Sequence, residues 1–209
     1  MNKLAIGVGT GRCGTKSLVR LLSLQAGTSV THEKYDHKVR WGCPKNLWPL
    51  RLWENSKKEE CKVVSDVAFY WTPHVKTFLD WGDEEDREVR VVGLKRDRQE
   101  VIESYDKWKP NSDHWSFHGY RKTLPDQWDH CYPCYDVDDK REGIGRFWDD
   151  VYETLEDIED DRVKVFPTEY LNVETGVKEI LEHVGYESPN VKVGVRVKAP
   201  SMKNNDSKW

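Results

Sequence analysis

A strand-like apolar run, Leu4-Ala-Ile-Gly-Val8, feeds into the glycine-dense stretch Gly7-Val-Gly-Thr-Gly-Arg-Cys-Gly-Thr-Lys-Ser-Leu18. Helical apolar spacing then begins at Leu18, Val19, Leu21 and Leu22. A strand, a glycine turn and a helix N-terminus in immediate succession leave the chain few ways to fold. The glycines permit a tight turn, successive N–H groups point inward, and the helix dipole favours an anion. The pattern therefore predicts a phosphate cradle at the end of the first strand of an α/β sheet.

The cradle is not a nucleotide-triphosphate loop. That motif has four residues between its first glycine and a Gly-Lys-Ser/Thr end. Counting from Gly9, the second glycine is Gly14, and it is followed by Thr15 rather than by lysine. A dinucleotide Gly-x-Gly-x-x-Gly can be read at Gly9, Gly11 and Gly14, but it places Arg12 inside the turn, which does not suit a nicotinamide pyrophosphate.

The chain has 209 residues, enough for a substantial core in a single domain, 1–209. Its formal net charge is -4, so any anion site must be local, and neither nucleic acid nor an anionic membrane is expected as a partner. No segment is apolar enough to span a bilayer and no signal peptide is evident. With five irregularly spaced cysteines, this reads as a cytoplasmic protein with reduced thiols. Cys131-Tyr-Pro-Cys134 lacks a second pair at zinc spacing and is read as a loop with two thiols; no metal is expected.

Strand-like runs alternate with helix-like ones, the signature of a parallel α/β sheet. Strands are predicted at Lys3–Val8, Thr28–Thr31, Lys62–Ser65, Val89–Leu94 and Arg162–Phe166. Helices are predicted at Lys16–Leu24, Pro73–Trp81, Gln99–Trp108, Arg141–Ile158 and Val173–His183. Two stretches, 34–60 and 109–140, lack periodicity and are read as functional loops at the sheet rim. They hold Trp41, Trp48, Trp53, Trp115, His118, Tyr120 and Trp128, which suit an acceptor groove. The tail beyond Gly185 is polar and reads as a flap or a frayed end.

A second anion site is suggested by Val91-Val-Gly-Leu-Lys-Arg-Asp-Arg-Gln-Glu-Val-Ile-Glu-Ser-Tyr105, again strand, turn and helix. Lys95 and Arg96 fall at the carboxyl end of the strand, where open α/β sheets bind ligands, and Ser104 follows Arg96 by eight residues. An Arg fork with a hydroxyl suits a phosphate monoester.

Together the two loops resemble the sulfotransferase superfamily that uses 3′-phosphoadenosine 5′-phosphosulfate (PAPS). Gly-Arg12-Cys-Gly14-Thr15-Lys16-Ser17 is similar to the family's 5′-phosphosulfate loop, and Arg96…Ser104 to its 3′-phosphate motif. Downstream, Phe147-Trp148…Tyr152…Leu155, Arg162–Leu171 and Ile180–Tyr186 resemble the family's late helix, strand and final helix. The usual proline before the loop cation is Gly11, and the cation is Arg12 rather than lysine, as in the tyrosylprotein and several bacterial branches.

The resemblance implies a three-layer α/β/α fold of the nucleotide-loop type, a sulfuryl donor with 3′-phosphoadenosine 5′-phosphate (PAP) as product, and no metal. It implies that backbone N–H groups from Cys13 to Ser17, with the Thr15 and Ser17 hydroxyls, hold the 5′-phosphate. Arg96 and Ser104 would hold the 3′-phosphate, and Arg12, with Lys16 second, the bridging oxygen. The acidic base of the tyrosylprotein branch maps to Glu33, with His32 as the alternative. Asp66, taken to follow the third strand, and Asp97 are the carboxylates that a kinase of the same loop architecture would need for Mg²⁺. Lys198 and Lys203 in the tail could reach over the nucleotide. Two rival readings stand beside a sulfotransferase acting on a small-molecule, carbohydrate or peptide acceptor: a kinase, and a catalytically silent nucleotide-binding protein.

Overall fold

Lys3–Val8 (β1) and Val63–Val67 (β3) are buried along nearly their whole length, as strands covered on both faces must be, so both read as short continuous apolar runs. The computed structural model describes residues 3–35, 39–42, 61–108, 110–117 and 131–194. Among these, β1, Thr28–His32 (β2), β3, Val89–Lys95 (β4) and Val163–Pro167 (β5) form one parallel sheet in the order β2-β3-β1-β4-β5. Leu4 of β1 sits opposite Val64 on one side and Val89 on the other. The edge strands β2 and β5 are only partly covered.

Side-chain alternation builds a core on each face. Leu4, Ile6 and Val91 pack with Phe78 of Val75–Glu84 (α2), Val101 of Arg98–Trp108 (α3) and Phe147 of Lys140–Glu156 (α4). Ala5, Val92 and Leu94 pack with Leu18 and Leu21 of Thr15–Ser23 (α1) and with Ile180 and Leu181 of Glu174–Val184 (α5). The outcome is the expected α/β/α layering.

Three expectations change. β3 runs on to Val67, so Asp66 lies within the strand and is fully buried rather than following it. The helix expected at Pro73–Trp81 is instead a 3-10 turn, Phe69–His74, followed by α2. Pro73 has no N–H to give to an α ladder, so regular i→i−4 bonding starts beyond it. The tail is not frayed as far as Gly194: Asn190 N–H donates to Gln25 Oε1 at 2.8 Å, and Gly194 N–H to Leu171 O at 3.1 Å.

Some described residues of 109–140 belong to the core. Trp115 is fully buried against Tyr105, Tyr132 and Phe147, with ring centroids 4.8, 4.8 and 6.3 Å away. Gly143 of α4 makes room for it, because a Cβ there would lie 2.8 Å from that of Trp115. Trp41 meets Phe147 edge-on at 5.4 Å. Trp115 therefore does not line an acceptor groove, since the apolar area of its indole is removed from water. Trp48, Trp53, Trp128, His118, Tyr120, Lys198 and Lys203 lie outside the described residues.

Truncating Trp115→Ala should lower the unfolding free energy by about 3–5 kcal/mol, the cost of emptying an aromatic site in a packed core. Urea denaturation followed by circular dichroism measures it.

Candidate functional site

β1 and β4 are neighbours, yet the helices after them leave to opposite faces, α1 to one and α3 to the other. Such a reversal opens a crevice at the carboxyl edge of a parallel sheet. Both loops singled out in the sequence end in it.

The glycine loop is shaped from outside. Tyr105 of α3 donates its hydroxyl to Thr10 O at 2.5 Å, and Gly11 leaves space for it: a Cβ there would lie 2.5 Å from that oxygen. Gly14 adopts φ 97° and begins α1 with no side-chain cap. The uncapped first turn leaves backbone donors for an anion. Ser17 N–H is not among them as expected, because it donates to Gly14 O at 2.9 Å; its hydroxyl remains the contribution of Ser17. Cys13 turns its thiol into the core, where burial pushes its pKa up, so only its backbone faces the loop.

Arg12 and Ser104, expected at different phosphates, are joined directly: Arg12 Nε donates to Ser104 Oγ at 3.0 Å. The Arg12 guanidinium also lies 5.3 Å from the centre of the Trp108 ring. Arg96 Nη1 donates to Arg12 O at 3.1 Å, while its Nε pairs with Glu100 at 2.8 Å. That exposed i,i+4 pair is worth only a few tenths of a kcal/mol, so an anionic ligand displaces it at small cost. Neither Arg12 nor Lys16 forms an ion pair with a described carboxylate. Arg12, Lys16, Arg96 and Ser104 line one cavity of about 210 Å³, together with Gly14, Thr15 and Ser17.

The end of β2 forms another wall of the same cavity, with His32 and Glu33. His32 Nε2 lies 3.2 Å from Thr15 Oγ1, and its Nδ1 3.6 Å from Glu33 Oε2. Burial, then the charge of Lys16, lower the His32 pKa to about 4, so the ring is neutral near pH 7. Glu33 has φ 51° and Arg12 φ 56°. A side chain in this left-handed region costs about 1–2 kcal/mol. Of three such non-glycine residues among those described, two face this cavity, and strain of this kind concentrates at functional sites.

Several residues of the site carried no assignment in the sequence. Phe69, Tyr105 and Tyr132 line the cavity, with Phe69 stacked on Tyr132 at 4.3 Å. Tyr132 lies between the two cysteines, so that segment supplies an aromatic wall; among the described residues no cluster able to hold a metal ion occurs. Thr168, just past β5, places its hydroxyl 2.8 Å from Cys13 O and 3.2 Å from Lys95 O. Trp148 Nε1 donates to Arg96 O at 2.9 Å and the Tyr152 hydroxyl to Leu94 O at 2.6 Å. Trp148, Tyr152 and Thr168 fall in segments already likened to the family's late helix and strand, whereas Phe69, Tyr105 and Tyr132 had no signal of a site role.

The kinase carboxylates are engaged elsewhere. Asp66 accepts from Thr31 Oγ1 at 2.5 Å and from Trp71 Nε1 at 2.7 Å, and Asp97 accepts from Glu100 N–H at 3.0 Å, capping α3.

The sequence matches no protein-family model and no curated protein. The structure is similar to the crystal structure of a sulfotransferase from Alicyclobacillus acidocaldarius, with a TM-score of 0.55 and 14% identity over 95% of this chain and 87% of that one. No described helix is long and apolar enough to cross a membrane. At this identity the likeness establishes one thing: the chain has the α/β sulfotransferase fold.

Proposed function

We propose that this protein is a sulfotransferase that moves a sulfuryl group from PAPS to a hydroxyl or amine acceptor. One observation carries the reading: Arg12 of the glycine loop and Ser104 of α3, 92 residues apart in sequence, meet in a cavity that also presents Glu33 and an uncapped helix N-terminus.

The residues present fit the donor. The Thr15 and Lys16 N–H groups, the Thr15 and Ser17 hydroxyls and the Lys16 ammonium suit a 5′-phosphate at a helix N-terminus. Arg96 and Ser104 suit the 3′-phosphate, where a guanidinium fork offers paired donors. The donor supplies an activated sulfur whose bond to the phosphate oxygen breaks as the acceptor attacks. Arg12 stabilises the charge left on that oxygen, and fixed cations in a partly dehydrated crevice do this without reorganising.

Glu33 takes the acceptor proton. It shares the cavity with Arg12, as a base must if it is to work on the same reaction. His32, neutral and held against Thr15, orients the neighbouring hydroxyl and carboxylate. Its lowered pKa makes it a weak proton acceptor. The acceptor is a small molecule, a carbohydrate or a peptide, presented against Phe69 and Tyr132.

Calorimetric titration with PAP, ATP and AMP, with and without Mg²⁺, tests the assignment. Metal-independent PAP binding that drops when the 3′-phosphate is removed is expected; preference for Mg-ATP would make the protein a kinase. Arg96→Ala should weaken PAP roughly 10- to 100-fold, the worth of a charge-assisted contact, while AMP affinity barely changes. Arg12→Ala should lower turnover by about 100-fold or more with the fold retained, read as initial rate beside a thermal melt.

His32 also makes a statement about acid stability. It titrates near 4 when folded against an ordinary 6.5, so between these values the unfolded chain binds the proton and the folded chain does not. Stability is untouched by this group above pH 6.5 and falls as pH drops towards 4. His74 and His183 are displaced the same way by burial. His32→Gln should therefore reduce, not abolish, the loss of urea midpoint between about pH 7 and about pH 4.5.

A further inference from the structure

Both residues considered as base lie on a five-residue segment, Thr31–Tyr35, whose backbone conformation is unusual at Glu33. What holds that segment is a carboxylate outside the cavity. Asp66, in register with Thr31 across the β2–β3 pair, is fully buried. Its Oδ1 accepts from the Thr31 hydroxyl at 2.5 Å and its Oδ2 from Trp71 Nε1 at 2.7 Å. The backbone N–H of Lys34 also lies near it and favours its charged form. Asp66 is thus bonded to the residue before His32 and lies beside the residue after Glu33. Between these two ties, Glu33 N–H donates to Val67 O at 3.2 Å, and Tyr35 N–H donates to Tyr70 Oη at 2.9 Å.

A carboxylate suits this place for a chemical reason. Three donors converge on one small side chain, and only an ionised Asp or Glu accepts on both oxygens without carrying a donor of its own. An asparagine of the same shape would aim an NH₂ at at least one of those donors. A buried carboxylate is costly unless it is hydrogen-bonded, and here both oxygens accept a bond. Burial pushes the Asp66 pKa up, and the hydrogen bonds from Thr31, Trp71 and Lys34 oppose that rise.

We propose that Asp66 is a positioning residue: by clamping Thr31 and Lys34 it imposes the left-handed conformation of Glu33 and so aims the base at the cavity. Its catalytic consequence rests on the sulfotransferase reading above; the clamp itself does not.

The test has two independent readouts on Asp66→Asn and on the pair Thr31→Val and Thr31→Ser. Backbone amide hydrogen exchange reads the clamp. Lys34 and Glu33 amides should exchange at least about tenfold faster in Asp66→Asn and Thr31→Val, while β1 and β4 amides stay protected. Thr31→Ser, which keeps the hydroxyl, should restore wild-type exchange. Steady-state kinetics read the consequence: kcat should fall about tenfold or more with PAP affinity within about twofold, because the nucleotide loop is untouched. A residue serving stability alone would lower the melting temperature and leave kcat of the folded fraction unchanged. Unchanged exchange at Lys34 overturns the clamp, and faster exchange with unchanged kcat overturns its catalytic role. If the wild type binds no PAP, the functional reading fails by itself while exchange still decides the clamp. Should Asp66→Asn not fold, the Thr31 pair carries both readouts.

Discussion

The glycine loop after β1 is strained at Arg12, and everything in the site depends on what holds it there. The holding groups come from elsewhere in the chain: Tyr105 on Thr10 O, Arg96 on Arg12 O, Thr168 on Cys13 O, and Ser104 on the Arg12 side chain. At about 1 kcal/mol net each, these bonds together exceed the cost of one left-handed residue. Two of the side chains that hold the loop, Arg96 and Ser104, are also those proposed to meet a phosphate. Loop shape and ligand contact are therefore coupled, and they are coupled at the switch point, where β1 and β4 end side by side.

Charge follows the same division. A chain of net charge -4 gives no long-range attraction for a polyanionic nucleotide. Away from the crevice several of its cations are paired: Arg98 with Asp149, Arg162 with Asp83 and Asp160, Lys164 with Glu179. Exposed pairs of this sort add little stability. Their effect is to neutralise the outer surface, leaving Arg12 and Lys16 as cations of the crevice without a carboxylate partner among the described residues. The anion site is local, made by omission of partners as much as by placement of charge.

The aromatic residues show why sequence position misleads about burial. Trp115 lies among Asp113, His114, Ser116 and Phe117, a context that reads as a wet loop, yet it fills the core beneath α4 because Gly143 leaves a hole there. Trp108 sits at the end of a helix and faces the cavity. Local polarity is the same for both, and only the packing partner differs. Asp66 is the counterpart among charged residues: its place after two valines and a serine looked like a strand end, but β3 continues and buries it.

Local patterns in the sequence determined the strand–glycine–helix succession, the five parallel strands with their approximate limits, the net charge that makes any anion site local, and Arg12, Arg96 and Ser104 as candidates, while Glu33 came from the family resemblance. These are legible because period, glycine spacing and charge depend on near neighbours in the chain. Only the tertiary structure decided that Arg12 touches Ser104, that Glu33 shares their cavity, that Tyr132 and Thr168 belong to the site, and that Asp66 grips the segment carrying the base. The physical reason is that each of these is a contact across the parallel sheet, set by strand order and by which face each helix covers. Neither quantity leaves a mark in the residues adjacent to the ones it brings together.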